Sequence, residues 1–140
     1  MFQNSFEFKV KKVVADPSGH YIVMDVILNN KRVMWVSVYA PSQGDNPQFI
    51  SMLKEILLDM NASNYQVIPA RDWNVCLDPD IDCMGYRDNY KTVMRERLIE
   101  FMSTWQQVDI WRIHKPDSER YTWRRINPLQ QSRLDQILCS

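Results

Sequence analysis

The spacing of apolar residues is the feature that most restricts the fold, and this spacing changes along the chain. Apolar and polar residues alternate over 6–14, and dense apolar runs cover 21–28 and 33–39. Short apolar runs of this kind are typical of β-strands. Turn-forming residues at 16–19 and 29–30 separate the three runs, because glycine and asparagine tolerate a positive φ. We therefore predict three strands in a meander.

After the meander the spacing becomes that of a helix. Asn46 suits an N-cap, Pro47 suits the first helical position, and apolar residues follow at helical intervals as far as Met60. A buried strand is predicted at 65–69 and a second helix at 89–106. Three further strand-like pieces lie at 108–111, 121–124 and 133–138. This mixture predicts an α/β or α+β fold with one main sheet.

Length and charge restrict the class of protein. A chain of 140 residues favours a single domain over residues 1–140. The 17 basic and 17 acidic residues cancel, so any contact with nucleic acid must come from a local patch. No apolar run reaches membrane-spanning length and no signal peptide is evident, so we expect neither a membrane partner nor secretion. Three scattered cysteines without a C-x-x-C pair argue against a disulfide framework and favour a nuclear or cytoplasmic location.

The polar segment YQVIPARDWNVCLDPDID, residues 65–82, has three interpretations. Asp78, Asp80 and Asp82 have the spacing of a calcium loop, but the glycine and glutamate that such a loop requires are replaced by Cys83 and Asn89. The calcium interpretation is therefore excluded. The three aspartates are expected to form a polar turn after a strand.

The third interpretation concerns Asp72 and Asn74, which follow the predicted buried strand. A carboxylate and an amide two residues apart can both face a cleft at the edge of a sheet. The carboxylate can accept a proton from water or orient it, and the amide can donate to a phosphate oxygen. The pattern D-x-N alone is weak evidence, and the rest of the sequence has to support it.

Four motifs in order supply that support: VSVYAP at 36–41, ARDWNVCLDPDID at 70–82, RYTWRR at 120–125 and QSRLDQIL at 131–138. With them the chain resembles the endonuclease/exonuclease/phosphatase superfamily, and most of all the endonuclease domain of LINE-type (non-LTR) retrotransposons, which is related to exonuclease III and apurinic/apyrimidinic endonucleases. The resemblance covers essentially the whole chain. It implies a DNase I-like β-sandwich flanked by helices and a phosphodiesterase that cuts DNA with Mg²⁺ or Mn²⁺.

The resemblance also implies roles for individual residues. Tyr39 matches the tyrosine that touches the scissile phosphate, Asp72 the aspartate that positions or activates water, and Asn74 its partner. Asp135 matches the aspartate that orients the catalytic histidine. Asp72 and Asn74 are also the implied metal ligands. From the residues alone, Tyr39 is better explained as a half-buried strand residue, and Asp135 as a surface aspartate at the start of a strand.

Several features depart from the family pattern. The early asparagine and metal-binding glutamate are missing, as is the terminal serine-aspartate-histidine motif. We therefore expect an incomplete, truncated four-layer domain that is nearly inactive alone and is part of a retrotransposon polyprotein; the alternative is a non-enzymatic remnant that binds protein or nucleic acid. Relatives carry two glycines and a phenylalanine where this chain has Ala70, Arg71 and Trp73. Arg71 could restrict the backbone and pair with Asp72.

A basic and aromatic cluster near the carboxyl end is a candidate DNA-binding surface. Arginine can contact the phosphate backbone, and aromatic rings among the arginines add contact area. A solvated hairpin face is the other interpretation of the same residues. The cluster comprises Arg120, Tyr121, Trp123, Arg124, Arg125 and Arg133.

Overall fold

A computed structural model describes residues 7–86 and 91–140. Its main sheet has six strands in the order β1-β2-β3-β4-β9-β6. The first three strands are antiparallel neighbours, so the predicted meander is confirmed. β4 is parallel to β3, and β9 is antiparallel to β4. The strands are β1 Phe8–Ala15, β2 Tyr21–Leu28, β3 Lys31–Tyr39, β4 Gln66–Asp72, β6 Val108–Asp109 and β9 Asp135–Cys139.

The predicted turns of the meander are confirmed by their backbone angles. Asn29 and Asn30 have φ values of 46° and 64°, which suit a two-residue hairpin turn. At the preceding turn, Gly19 has a φ of 81° and its N–H donates to the Asp16 carbonyl at 2.9 Å. Asparagine and glycine are favoured at such angles because they pay the smallest steric cost.

Helices α1 (Pro47–Asp59) and α3 (Thr92–Thr104) pack against each other and against the sheet. α1 begins at Pro47 as predicted, and a short 3₁₀ turn, Ala62–Asn64, leads from it to β4. The core lies between these helices and the sheet. Apolar residues of both helices and of β2 to β4 form it, among them Val23, Val36, Leu53, Leu57, Val67 and Leu98.

The start of α3 is held by a residue distant in sequence. The Asp45 carboxylate accepts hydrogen bonds from the N–H groups of Val93 and Met94 at 3.0 and 2.8 Å. A carboxylate here satisfies N–H groups that have no partner within the helix and interacts favourably with the helix dipole. The helix was predicted to begin near residue 89, which lies outside the described residues.

One predicted strand is wrong in part. Residues 108–111 were expected to be a strand, but β6 ends at Asp109 and a short helix, α4, covers Ile110–His114. The Asp109 side chain accepts from the Trp111 N–H at 3.1 Å, which caps the helix. Strand propensity in Val108 and Trp111 is therefore overridden by this cap.

A small second sheet carries the carboxyl-terminal hairpin. Its order is β5-β8-β7, with β5 Cys83–Met84, β7 Trp123–Arg125 and β8 Gln130–Ser132. The piece predicted at 133–138 is displaced, because β8 ends at Ser132 and β9 begins at Asp135. Gly85 is required beside this sheet, since a Cβ there would lie 2.2 Å from the Leu129 carbonyl oxygen.

The predicted polar turn at 78–82 is confirmed for its first part only. Asp78 accepts from the Asp80 N–H at 3.1 Å and caps a short helix, α2 (Pro79–Asp82). Asp82, in contrast, is fully buried. Its carboxylate accepts from Arg133 Nε at 2.7 Å and Nη2 at 3.1 Å, and also pairs with Arg112.

Arg133 is therefore a core residue, and its assignment to the DNA-binding cluster is wrong. Only 3% of it is exposed, and its guanidinium bridges Asp82 and Asp109, the latter at 2.6 Å. Burial alone would raise the pKa of the Asp82 carboxyl, but the hydrogen bonds from Arg133 and Arg112 outweigh that effect and lower it. A buried carboxylate in this setting depends on its cations to remain ionised.

The face of the sheet opposite the helices exposes apolar side chains. The strand register places the exposed apolar residues on one side of the sheet. One row of register partners is Val13, Met24 and Trp35, and another is Ile22, Ser37, Ala70 and Ile137. An exposed apolar surface of this kind is typical of a binding or packing surface. Its exposed members are Phe8, Val10, Val13, Ile22, Trp35 and Ile137. Among the described residues no helix is long and apolar enough to cross a membrane.

The substitution Arg133→Met tests the buried ion network. It should lower the free energy of unfolding by about 3–5 kcal/mol, because it leaves two buried carboxylates without their shared cation. Urea unfolding followed by tryptophan fluorescence measures the change. The control, Arg125→Met on the exposed hairpin, should shift stability by less than about 0.5 kcal/mol. Equal midpoints for the two variants would contradict a stabilising role for the network.

Candidate active site

Three of the four predicted catalytic residues lie in one row across the sheet. Tyr39 ends β3, Asp72 ends β4, and Asp135 begins β9. Tyr39 is the register partner of Asp72 in the parallel pair, and Asp72 is the partner of Asp135 in the antiparallel pair. Neighbouring strands are about 5 Å apart. The phenol and the two carboxylates are therefore brought together although 96 residues of sequence separate Tyr39 from Asp135.

Asn74 joins this row through two hydrogen bonds. Its backbone N–H donates to Asp72 Oδ1 at 2.8 Å, and its side-chain Nδ2 donates to the Ala40 carbonyl at 2.7 Å. Its φ is 52°, a left-handed conformation that asparagine tolerates better than most residues. The side chain is thus held beside the ends of both β3 and β4.

Trp73, between the two candidate residues, anchors the loop. Its side chain is fully buried and packs against Phe101 of α3 with ring centroids 6.2 Å apart. The backbone N–H of Trp73 donates to the carbonyl of Leu134, the residue before Asp135, at 2.9 Å. The larger indole at the family's phenylalanine position is therefore accommodated in the core, and its burial fixes the flanking Asp72 and Asn74.

Arg71 adopts a backbone conformation that favours glycine. Its φ is 97°, well inside the region that side chains rarely occupy. The tight turn at the family's second glycine position is thus kept in this chain despite the arginine. The contacts of the described residues include no ion pair between Arg71 and Asp72, but the charge of Arg71 does lower the pKa of the Asp72 carboxyl, as expected.

The pKa of the Asp72 carboxyl lies above its ordinary value. Burial is the largest cause, and the neighbouring charge of Asp135 also raises it, while the Asn74 N–H and the charges of Lys91 and Arg71 act in the opposite direction. A raised carboxyl pKa makes the ionised form a stronger base. The electrostatics of the row therefore suit proton transfer from water.

Tyr39 is supported from the neighbouring turn. Its side chain is 53% exposed, so it is available to a ligand. The His20 ring stacks on the Tyr39 ring with centroids 6.3 Å apart, and His20 Nδ1 lies 2.9 Å from the Tyr39 carbonyl oxygen. His20 is packed in turn against Phe49 of α1. The Tyr39 ring therefore has His20 beside it and still presents exposed surface.

Two cavities border the row. A cleft of about 230 Å³ contains the predicted residues Asn74 and Trp123 together with four residues that sequence reasoning did not select. A larger cavity of about 620 Å³ contains Asp135, Arg71 and Arg120. In the cleft Lys91 also donates to the Pro41 carbonyl at 3.2 Å. No sequence signal marks these residues individually, because their shared position results from tertiary packing. The residues that line the cleft are Ser42, Asn74, Tyr86, Lys91, Trp123 and Leu134.

The remaining members of the predicted DNA-binding cluster are at or near the surface. Trp123 lines the cleft with Asn74, so the hairpin meets the loop that carries Asp72 and Asn74. The Arg124 guanidinium is held by Gln131 Oε1 at 2.8 and 3.0 Å, and Arg125 Nε donates to the Asn127 carbonyl at 3.1 Å. Arg120 is exposed, and Tyr121 is half-buried. The cluster is therefore divided between two cavities and the hairpin edge.

The donor set fits a hard divalent cation in part. Carboxylate and amide oxygens are the ligands that Mg²⁺ prefers, usually with water and substrate phosphate completing the shell. Asp72 and Asp135 place two carboxylates side by side. The negative charge of Asp135 raises the pKa of the Asp72 carboxyl, and a bound cation would have the opposite effect on that pKa. Within residues 7–86 and 91–140, no three aspartate, glutamate, histidine or cysteine side chains form a group that could hold a metal.

The chain is similar in structure to several nucleases. It matches the endonuclease domain of TRAS1, a telomere-specific non-LTR retrotransposon, with a TM-score of 0.63, 13% identity and coverage of 99% of this chain. It matches an AP endonuclease from Archaeoglobus fulgidus with a TM-score of 0.72, 16% identity and 94% coverage. The chain has a DNase I-like fold. The predicted mixed α/β class is thereby confirmed.

Two further matches extend the comparison. The 3′ phosphatase NExo from Neisseria, solved with a product DNA hairpin, gives a TM-score of 0.63, 19% identity and 98% coverage. In sequence, the chain is 26% identical over 144 aligned residues to the transposon TX1 uncharacterized 149 kDa protein of Xenopus laevis. No protein-family model matches the chain. The chain spans 57% to 58% of these solved structures and 11% of the transposon protein.

The substitution Arg71→Gly tests the backbone strain beside Asp72. A non-glycine residue at such a φ destabilises the folded protein by roughly 1–3 kcal/mol, and the substitution removes this strain. Glycine also gives the unfolded chain more conformational freedom, which destabilises the folded state by about 1 kcal/mol. We therefore expect a net stabilisation of about 1 kcal/mol. Chemical denaturation measures it. The control Ala70→Gly, at a residue without a positive φ, should destabilise by about 1 kcal/mol. Destabilisation by both changes would show that Arg71 is not strained.

The substitution Asp72→Asn tests the raised pKa. A carboxyl whose pKa is raised on folding destabilises the protein once it ionises, so the variant should melt at a higher temperature near neutral pH. The advantage should disappear as the pH falls below the unfolded pKa of about 4, where both states are protonated. Thermal melting against pH measures this. A constant difference at every pH would contradict the prediction.

Proposed function

We propose that this chain is a phosphodiesterase-type, endonuclease-like module of a retrotransposon protein and that its substrate is DNA. The observation that carries the proposal is the row of Tyr39, Asp72 and Asp135, with Asn74 hydrogen-bonded to Asp72. Phosphodiester hydrolysis requires a base for the attacking water and donors for the phosphate oxygens. The row supplies both kinds of group at one exposed edge.

Each residue has a role that follows from its contacts. Asp72 accepts a proton from the attacking water or orients that water. The exposed Tyr39 hydroxyl donates to a non-bridging phosphate oxygen. Asn74 uses its amide to position the phosphate beside Asp72. The charge of Asp135 acts on the neighbouring Asp72 carboxyl, and the resemblance implies that Asp135 would orient a catalytic histidine.

A Mg²⁺ or Mn²⁺ ion is the cofactor that we propose for this site. Asp72 and Asn74 would hold it, with the Asp135 carboxylate close by. Bound there, the ion would neutralise the charge that develops on the phosphate. The protein's own contribution is to keep two carboxylates adjacent at the end of the sheet.

DNA contact is proposed for the hairpin and its surroundings. Trp123 lies at the cleft beside Asn74, and Arg124 and Arg125 follow it along β7. Arginine at this position can meet the phosphate backbone on either side of the scissile bond. Arg120 borders the cavity that contains Asp135. Localisation with DNA, in the nucleus or cytoplasm, is part of the same proposal.

Slow turnover is also part of the proposal. The metal-binding glutamate and the catalytic histidine of the family pattern have no counterpart at the matching places in this sequence. Each such group commonly contributes several kcal/mol to transition-state stabilisation, and about 1.4 kcal/mol is a factor of ten in rate. We therefore expect binding to DNA with cleavage slower by several orders of magnitude than that of a complete enzyme.

Fluorescence anisotropy with a labelled duplex tests the binding surface. We expect affinity to fall steeply between about 50 and 200 mM salt, and the double variant Arg124→Ala/Arg125→Ala to reduce the slope of log K against log salt by about 2. Arg97→Ala is the matched control, because Arg97 is a surface cation paired with Glu100 on α3. An unchanged slope in the double variant would remove the hairpin from the interface.

Nicking of supercoiled plasmid in Mg²⁺ tests the catalytic assignment and the expected slow rate. Residual cleavage should be abolished by Asp72→Ala and unaffected by Asp80→Asn, which changes an exposed carboxylate of the nearby helix α2. Rapid turnover would contradict the slow rate, and cleavage that persists in Asp72→Ala would contradict the role of Asp72. EDTA should stop the reaction if the cation is required.

One observation favours a second candidate function. The apolar face that carries Trp35, Ile22 and Ile137 is exposed and continuous in register across the sheet. Surfaces of this kind mark protein contacts. A non-enzymatic retroelement remnant that binds protein through this face is therefore the alternative. DNA binding without any Asp72-dependent cleavage, together with self-association removed by Trp35→Lys, would favour it.

A further inference from the structure

Two cysteine sulfur atoms lie in contact beside the candidate site. Cys76 Sγ and Cys83 Sγ are 2.7 Å apart. Cys76 follows the loop that carries Asp72 and Asn74, and Cys83 begins β5. The short helix α2 folds the chain back between them. This contact has no part in the function proposed above.

Both cysteines are also held by backbone contacts that are independent of the contact between their sulfur atoms. The Cys76 carbonyl accepts from Arg95 Nε at 2.6 Å, and Cys83 is paired with Ser132 in the ladder of β5 and β8. Asp82, next to Cys83, is fixed by Arg133. The approach of the two sulfurs therefore follows from the fold of the segment and not from a chance contact in a mobile loop.

The third cysteine is placed elsewhere. Cys139 ends β9 and is the register partner of Val108 in β6. Asp135, the member of the candidate site on this strand, lies at the other end of β9. Cys139 therefore serves as an internal control for any reaction of the other two thiols.

We propose that Cys76 and Cys83 form a site of reversible disulfide formation that responds to peroxide. A disulfide has an S–S distance of about 2.05 Å, so closure requires the sulfurs to approach by roughly 0.7 Å. The residues between them form a short loop, so the bond joins positions that the native fold already holds together. Cys76 is fully buried and Cys83 is partly exposed, which makes Cys83 the first thiol that an oxidant meets.

The chemistry balances with hydrogen peroxide as the oxidant. The Cys83 thiolate attacks one peroxide oxygen, the O–O bond breaks, and Cys83 becomes a sulfenic acid with release of hydroxide. The Cys76 sulfur then attacks the Cys83 sulfur, an S–S bond forms, and the sulfenic oxygen leaves as water once protonated. Overall, two thiols and one peroxide give one disulfide and two waters. A dithiol reductant reverses the reaction by exchange.

Closure would act on the cleft through Tyr86. This residue lines the cleft with Asn74, and its hydroxyl is hydrogen-bonded to Ser132. Burial raises the pKa of Tyr86, and the nearby Cys76 and Cys83 add to that effect. A disulfide removes the thiol protons from this contact and tethers the catalytic loop to β5. The modification thus connects redox state to the wall of the cleft.

Thiol counting on the full chain tests the proposal. After treatment of the folded protein with hydrogen peroxide, unfolding in N-ethylmaleimide should label one of the three thiols, against all three in reduced protein. Peptide mapping should identify a linked Cys76–Cys83 pair and an alkylated Cys139. Dithiothreitol should restore labelling of all three, and the oxidised protein should melt several degrees higher because the unfolded chain is restricted.

Single variants separate the outcomes. Cys139→Ser should leave the linked pair unchanged, whereas Cys83→Ser should abolish protection of Cys76. Cys83 is the better first substitution because it is partly exposed, and Cys76→Ala, which keeps the site apolar, repeats the test from the buried side. Labelling of all three thiols after oxidation, or a disulfide that includes Cys139, would overturn the proposal.

Discussion

The position of β4 between β3 and β9 is the constraint on which the candidate site depends. The parallel pair aligns Tyr39 with Asp72, and the antiparallel pair aligns Asp72 with Asp135. A shift of one residue in either register would turn these side chains to opposite faces. Burial of Trp73 against Phe101 fixes the point where β4 ends, so packing in the core determines where the polar row begins.

A buried charge network connects this row to the rest of the chain. Asp82 accepts from Arg133, and Arg133 also pairs with Asp109, so α2, the β8–β9 junction and the start of α4 meet at one guanidinium. Such a network is expensive to bury and is tolerated only when each charge has a partner. It places the short sheet, and with it Trp123, beside the loop that carries Asp72 and Asn74.

Much of the secondary structure was predictable because the relevant signals are local. Periodicity identified the meander, and the asparagine pair at 29–30 identified the turn between β2 and β3. Asn46 and Pro47 identified the start of α1. The short helix α4 was missed because the cap on Asp109 overrides the strand propensity of its neighbours. The start of α3 at Thr92 has no local signal, because the carboxylate that accepts from its first N–H groups is that of Asp45, 49 residues before Met94. Non-local partners leave no periodic signal.

The sequence by itself determined the fold class and the DNase I-like resemblance. It also identified the candidate residues Tyr39, Asp72, Asn74 and Asp135, because the order of motifs and the chemistry of each residue type are properties of the sequence. Only the tertiary structure decided that these four meet, since their proximity depends on strand order and register. It also decided that Arg133 is a core cation and that Arg71 occupies a glycine-like conformation. Burial and backbone angles depend on what surrounds a residue, so the presence of an arginine in the sequence indicates neither its burial nor its φ.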